Sequence, residues 1–398
     1  APHVVRNIGS KAAEVSMRES RDLERFTFQV CGATTVLPWL SFISAVDFFQ
    51  RVFVGYKVQY VTAAVNMSTL FVCTVGNMLF SAESQSAVRL QVSGTLLAAA
   101  LLLVPIMNEC LIVPNEDSDW SSGHRQGLFA LLVAAEVCAA ASNAVFQSSM
   151  YGLAGEMQLE GDLTAHVEVG KGKAGIGVLV LRAATKAIFP DTPAGTAHSA
   201  TSFFAIAVLL ALLSIVLFNR MMAIRRVEAS TKIGGDKESQ VAAAAAATEA
   251  TPLLGLPSSP GEAGCCPAEQ TEVFRAVLKQ ALTTMWAFGV CLACFPGLTS
   301  SLTSETWHLG DWFALLLIAI FNVGDLIGKT LPTYKMVLKA ENVHKPAIAM
   351  TLFLPAFLAC LFVPAPDSVP SLLVFFLGIA TGYVTCAAMM LGPEQVPP

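Results

Sequence analysis

Ten stretches of this chain are apolar and long enough to cross a bilayer, near 26–46, 58–80, 90–113, 127–155, 173–190, 199–221, 273–298, 311–331, 346–364 and 371–391. A hydrocarbon core about 30 Å thick needs roughly 20 apolar residues in a helix. No other feature restricts the fold as much, because a backbone in lipid must satisfy its own hydrogen bonds. Composition agrees: 54% of the 398 residues are hydrophobic and 13% are charged, half of the roughly 25% usual in soluble domains. The expected fold class is all-α, a polytopic membrane helical bundle.

The distribution of charge orients the bundle. With the N-terminus in the cytosol, 19 of the 24 Lys and Arg residues fall on the cytosolic side and 5 on the other, as the positive-inside rule requires. The polar, alanine- and proline-rich stretch at 223–272 is too poor in apolar surface to fold. The expected layout is therefore a cytosolic segment at 1–25, a six-span bundle at 26–222, a disordered cytosolic linker at 223–272 and a second bundle at 273–398. Within the linker, Glu249, Leu253 and Leu254 have the spacing of an acidic dileucine sorting signal. The plasma membrane is the default location, and an endosomal or lysosomal membrane follows if that signal is read. A net charge of -5, evenly mixed, gives no reason to expect nucleic acid as a partner.

Polar residues inside spans are costly and usually serve a cavity or a partner helix. Glu136, Asn143 and Gln147 lie seven and four residues apart, within roughly 40° of one another on one helical face. Such a stripe suits a water-filled path, or else hydrogen bonds between helices. Asn322, Asp325 and Lys329 form a second face at i, i+3 and i+7, where the last two can pair across one turn. Arg182 and Lys186 are read either as interfacial anchors or as partners for Asp47 or Glu136. All six histidines fall outside the apolar stretches, so a histidine proton relay is not expected, whereas a carboxylate relay stays open. Cys291 and Cys294, one turn apart in an apolar stretch, read as packing residues. The sequence contains no phosphate-binding loop, nucleophile elbow or zinc-protease motif; no enzyme and no cofactor are expected.

Several segments together resemble the equilibrative nucleoside transporter family. They are Leu37-Pro38-Trp39, the run from Asn143 through Gln147 to Tyr151-Gly152-Leu-Ala-Gly155, Phe295-Pro296-Gly297, Phe321-Asn322-Val-Gly-Asp325-Leu-Ile-Gly328-Lys329, and Gly382-Tyr383 through to Pro393. The resemblance implies an eleven-span, major-facilitator-like carrier, six spans plus five around a central cavity. Ten spans are visible, and the eleventh is expected beyond Pro398. It implies movement of purine nucleosides or nucleobases by alternating access, facilitative or coupled to protons. In that reading Trp39 gates the outer cavity, Gln147 bonds the base edge and Asn143 shapes the pocket. Asp325 takes sugar hydroxyls or a polar base edge, supported by Asn322. The family's arginine is Lys329 here, which lacks the planar forked donors of a guanidinium and puts sugar recognition at that position in doubt. Two alternatives stand beside this reading: a major-facilitator carrier of another small polar solute, and a membrane protein that binds a nucleoside without moving it.

Overall fold

A computed structural model describes residues 2–80, 86–112, 122–157, 163–189, 192–233, 267–299, 302–309, 312–363 and 365–395; the side chains of 1–18, Asp47, Arg182 and Lys186 are among those outside the described set. Residues 234–266, which contain most of the expected linker and the Glu249-to-Leu254 motif, also lie outside the described residues. Among the described residues every regular element is helical: α1 Pro2–Ser44, α2 Val46–Val52, α3 Val58–Phe80, α4 Ser86–Met107, α5 Ser122–Glu156, α6 Leu163–Ile188, α7 Pro193–Ile233, α8 Pro267–Leu292, α9 Trp312–Tyr334, α10 His344–Ala349, α11 Phe353–Phe362 and α12 Ser368–Leu391.

Among the described residues, seven helical stretches are long and apolar enough to cross a membrane: Ser86–Leu111, Gly123–Glu156, Ala194–Val227, Glu272–Phe295, Leu316–Tyr334, His344–Phe362 and Ser368–Leu391. The protein is thus a multi-pass integral membrane protein. The other three expected spans fall on α1, α3 and α6. All three are helical, but α1 carries Glu24 and Arg25, and α6 carries Glu168, Lys171 and Lys173. Helix ends differ from the hydropathy limits wherever charge begins. The helix α6 starts at Leu163 rather than 173, α7 runs past 222 to Ile233, and α8 begins at Pro267. For the same reason His166 and His198 are not in loops but inside α6 and α7. His166 Nδ1 lies 3.0 Å from Gln29 Nε2, and His198 Nδ1 lies 3.7 Å from Glu109 Oε1.

Two helix crossings are made close by glycine. On α9, Gly324 and Gly328 face Gly378 and Gly382 of α12. A Cβ at Gly324 would strike the carbonyl oxygen of Phe375, at Gly328 that of Ile379, at Gly378 that of Phe321 and at Gly382 that of Asp325. Both helices therefore carry a Gly-x-x-x-Gly pair, the spacing that lets two backbones approach within a membrane. On the other side of the molecule Gly32 of α1 lies against the Val167 carbonyl, and Gly170 of α6 against that of Gln29. Large side chains fill the space elsewhere. Phe42, Phe49 and Phe204 join α1, α2 and α7 in one fully buried cluster, with the Phe42 and Phe204 rings edge to face at 5.0 Å.

The end of α8 is broken by proline. The missing N–H of Pro296 interrupts the helical ladder and pushes the residue before it out of helical geometry. Phe295 has φ -135° and ψ 121°. Its ring stacks on Phe321 of α9, with centroids 4.2 Å apart and planes 12° apart.

The segment between α8 and α9 is strapped to the start of α12 by Asp367. Its carboxylate accepts hydrogen bonds from Ser304 Oγ at 2.6 Å, Glu305 N at 2.8 Å, Trp307 N at 2.8 Å and Thr306 N at 3.3 Å. Burial alone would raise the pKa of this group, yet the four donors favour the anion and hold it at about 2. A depressed carboxylate stabilises the fold above its unfolded pKa of about 3.9 and loses that contribution as pH falls through its folded value. We expect Asp367→Ala to lower the detergent-solubilised unfolding temperature by several degrees at pH 7. The gap to wild type should narrow as pH falls from about 4 toward 2, measured by size-exclusion recovery after heating.

Candidate functional site

Asp325 and Lys329 sit one turn apart on α9, each next in sequence to a glycine of the α9–α12 crossing. Each is 8% exposed. Lys329 Nζ donates to Asp325 Oδ2 at 2.7 Å. A second carboxylate, Glu168 of α6, places Oε2 3.9 Å from the same ammonium. Glu168 is held in turn by Lys171, whose Nζ donates to Oε1 at 3.1 Å, and by a short hydrogen bond from the Tyr151 hydroxyl. Lys171 Nζ also donates to the Tyr151 oxygen at 2.6 Å. Two carboxylates, two ammonium groups and one phenol thus form a single buried cluster contributed by α5, α6 and α9. Its formal charge is zero, the condition under which ions survive removal from water.

The cluster lies where the first seven helices meet the last five. From the α12 side Cys386 Sγ lies 3.4 Å from the Lys329 carbonyl oxygen. The Thr381 hydroxyl of the same helix is buried beside the Cys291 thiol of α8.

On the other flank of that meeting line is a cavity of about 890 Å³. Its wall is formed by Met67 and Phe71 of α3, Tyr151 of α5, Thr164 of α6, Gln280, Met285 and Phe288 of α8, and Met389 of α12. Most of the lining is apolar, but Gln280 Oε1 and Thr164 Oγ1 are buried there without partners. Tyr151 belongs both to this wall and to the charged cluster, so the cavity ends on the cluster.

The remaining residues singled out in the sequence are more dispersed. Asn322 donates from Nδ2 to the Ile318 carbonyl of its own helix at 2.9 Å, and its Oδ1 lies against the bare Cα of Gly175 on α6. Asn143 serves a helix contact, with Nδ2 donating to the Thr35 carbonyl of α1 at 2.8 Å. Glu136 is fully buried, with the Asn66 side chain of α3 as its polar neighbour. Gln147 and Trp39 are half-buried on α5 and α1. The side chains of Arg182, Lys186 and Asp47 lie outside the described residues, so the pairings expected of them do too. Asp325 and Lys329 are therefore brought together, while Asn143, Gln147 and Trp39 are not joined to them by a direct contact.

The sequence reading passed over Glu168, Lys171, Tyr151 and Thr381 as site residues. Hydropathy placed 163–172 outside the fifth span, and Lys171 was counted among the cytosolic loop cations. In the structure it is a helical residue paired to a buried glutamate. One signal was available: Glu168 and Lys171 are spaced i, i+3, the spacing of a pair on one helical face.

If the Asp325–Lys329 pair is balanced within this cluster, removing one member is worse than removing both. We expect Lys329→Met to destabilise the solubilised protein by about 3–5 kcal/mol, as breaking a buried pair does. Asp325→Asn with Lys329→Met should recover most of that loss in the same heating assay.

Comparison with known proteins adds an independent finding. The profile described as nucleoside transporter matches residues 133–398. Equilibrative nucleotide transporter 1 of Arabidopsis thaliana is 30% identical over 376 residues, covering 92% of this chain and 77% of that protein. Equilibrative nucleotide transporter 8 of the same plant is 25% identical, covering 95% and 89%. Human equilibrative nucleoside transporter 2 is 25% identical, covering 96% and 91%.

Proposed function

Because the chain belongs to the equilibrative nucleoside transporter family, we propose that it carries purine nucleosides or nucleobases across a membrane by alternating access, with Asp325 and Lys329 at the centre of its binding site. The observation that carries this reading is a solute-sized cavity lying between two helix groups and ending, through Tyr151, on a buried charge cluster. A purine has apolar faces and a polar edge. Aromatic and aliphatic walls suit the faces, and a carboxylate beside an ammonium offers an acceptor and a donor to the edge or to sugar hydroxyls.

The finer arrangement belongs to the same proposal. Ten spans are grouped as six and four, in a major-facilitator-like pairing of bundles, with the N-terminus and the 223–272 connection in the cytosol. One bundle rocks against the other around a site near the midplane. Gln147 approaches the substrate from α5, Asn143 shapes the pocket by holding that helix to α1, Asn322 supports Asp325, and Trp39 closes the outer side. Glu136, buried on α5 beside Asn66, is the candidate proton carrier if transport is coupled. The plasma membrane is the expected site of action.

The decisive experiment is uptake of labelled adenosine and hypoxanthine into purine-uptake-deficient cells expressing this chain. We expect saturable uptake, and a loss of at least about tenfold in Gln147→Ala and in Asp325→Ala at unchanged surface expression. Binding without flux would make the protein a receptor, and normal flux in both variants would move the site elsewhere. Lys329→Arg supplies the forked donor that a lysine lacks. It should shift the ratio of adenosine to hypoxanthine uptake toward the nucleoside.

A further inference from the structure

Lys329 stands between two carboxylates that belong to different halves of the molecule. Asp325, on its own helix, holds the ammonium at 2.7 Å. Glu168, across the meeting line on α6, lies 3.9 Å away, about 1 Å beyond a charge-assisted hydrogen bond. Glu168 is not free to travel to it. Tyr151 and Lys171 both fix its Oε1, so Oε2 is the oxygen within ion-pair range of Lys329. Closing the remaining distance takes a rotation of the flexible lysine stem, a shift of α9 toward α6, or both.

Glycine marks the contact between those helices. Gly172 and Gly175 of α6 face Leu326 and Asn322 of α9. A Cβ at Gly172 would lie 3.0 Å from Leu326 Cδ1, and one at Gly175 would overlap Asn322 Oδ1. At these two positions α6 puts no side chain of its own between the backbones, and Leu326 and Asn322 of α9 lie directly on it. Both seats for the ammonium are carboxylates within one net-neutral cluster. Moving Lys329 from one to the other leaves the net charge of the cluster at zero, but it leaves the Asp325 carboxylate in need of other donors, because an anion without a partner in a dry site is costly.

We propose that Glu168 is a positioning residue for transport, the second seat of the Lys329 ammonium. When hydrogen-bond donors of the substrate engage the Asp325 carboxylate, Lys329 transfers to Glu168, and the pair so formed draws α9 against α6. Substrate occupancy is thereby converted into movement of one bundle on the other. A ligand shifts a two-state equilibrium only through contacts that differ between the states, and the donors given to Asp325 are that difference. The inference rests on the reading that Asp325 receives the substrate.

The test compares Glu168→Gln, Glu168→Asp and the charge-balanced pair Glu168→Gln with Lys171→Gln, all in the full chain, with Asp325→Ala beside them. Two quantities are read: equilibrium binding of labelled adenosine to the purified protein, and its uptake by purine-uptake-deficient cells. We expect the neutral variants to bind adenosine within about threefold of wild type but to carry it at less than about one tenth of the rate, a split that a purely binding residue does not give. Glu168→Asp, which keeps the charge, should recover about a third of the flux or more. The paired variant guards against Glu168→Gln misfolding because it leaves no orphaned lysine. Normal flux in the neutral variants, with Asp325→Ala inactive, would overturn the exchange and leave the binding site standing. Normal adenosine binding in Asp325→Ala would remove the site itself and the exchange with it. Loss of binding in step with flux, or failure of both neutral variants to fold, would make Glu168 a support of the site or the fold and would equally overturn the proposal.

Discussion

An ion taken out of water must find an opposite ion, and in this protein that requirement dictates which helices meet at the centre. Lys329 needs Asp325, Glu168 needs Lys171, and the two pairs lean on each other across 3.9 Å. Neither pair would be stable alone in a dry interior facing another helix that offered only apolar atoms. Tyr151 completes the set by donating its hydroxyl to Glu168, so α5 is tied into the same point. The centre of the bundle is therefore specified by charge, and the outer halves by packed aromatic and aliphatic side chains.

Glycine decides how closely the helices beside the charges approach. The α9–α12 crossing is close because four glycines remove the side chains that would separate the two backbones. Gly382 lies against the Asp325 carbonyl, and Gly378 against the Phe321 carbonyl one turn earlier. Any other residue would place a Cβ against these carbonyls. Asp325 and Lys329, next in sequence to Gly324 and Gly328, are buried and paired. A second group of glycines on α6 acts differently. Gly172 and Gly175 lie directly against α9, at the contact where the two halves of the molecule must move if one bundle rocks on the other. The opposite flank is open, with about 890 Å³ between α3, α8 and α12.

The polar stripe on α5 shows how one helical face can serve unlike purposes. Glu136, Asn143 and Gln147 share a face by spacing alone, yet each has a different neighbour. Asn143 spends its amide donor on the backbone of α1, Glu136 is buried against Asn66 of α3, and Gln147 stays half-exposed. Periodicity records direction around one helix axis and is silent on what stands opposite. Only the approach of α1 separates a structural asparagine from a glutamine still accessible to solute.

The sequence by itself determined the all-helical, membrane-embedded class, the family, and the one-turn pairing of Asp325 with Lys329. These follow from local quantities: apolar length, motif order and helical spacing. It also contained both Gly-x-x-x-Gly pairs, although nothing local says that 324–328 and 378–382 face each other. The tertiary structure alone decided that Glu168, Lys171 and Tyr151 join the buried pair. A hydropathy window averages the charges of 163–173 into a polar flank, whereas in the fold Glu168 and Lys171 neutralise each other and lie against the Asp325–Lys329 pair of a distant helix. Burial of an ion is a property of the set that neutralises it, and that set is assembled only when α5, α6 and α9 come together.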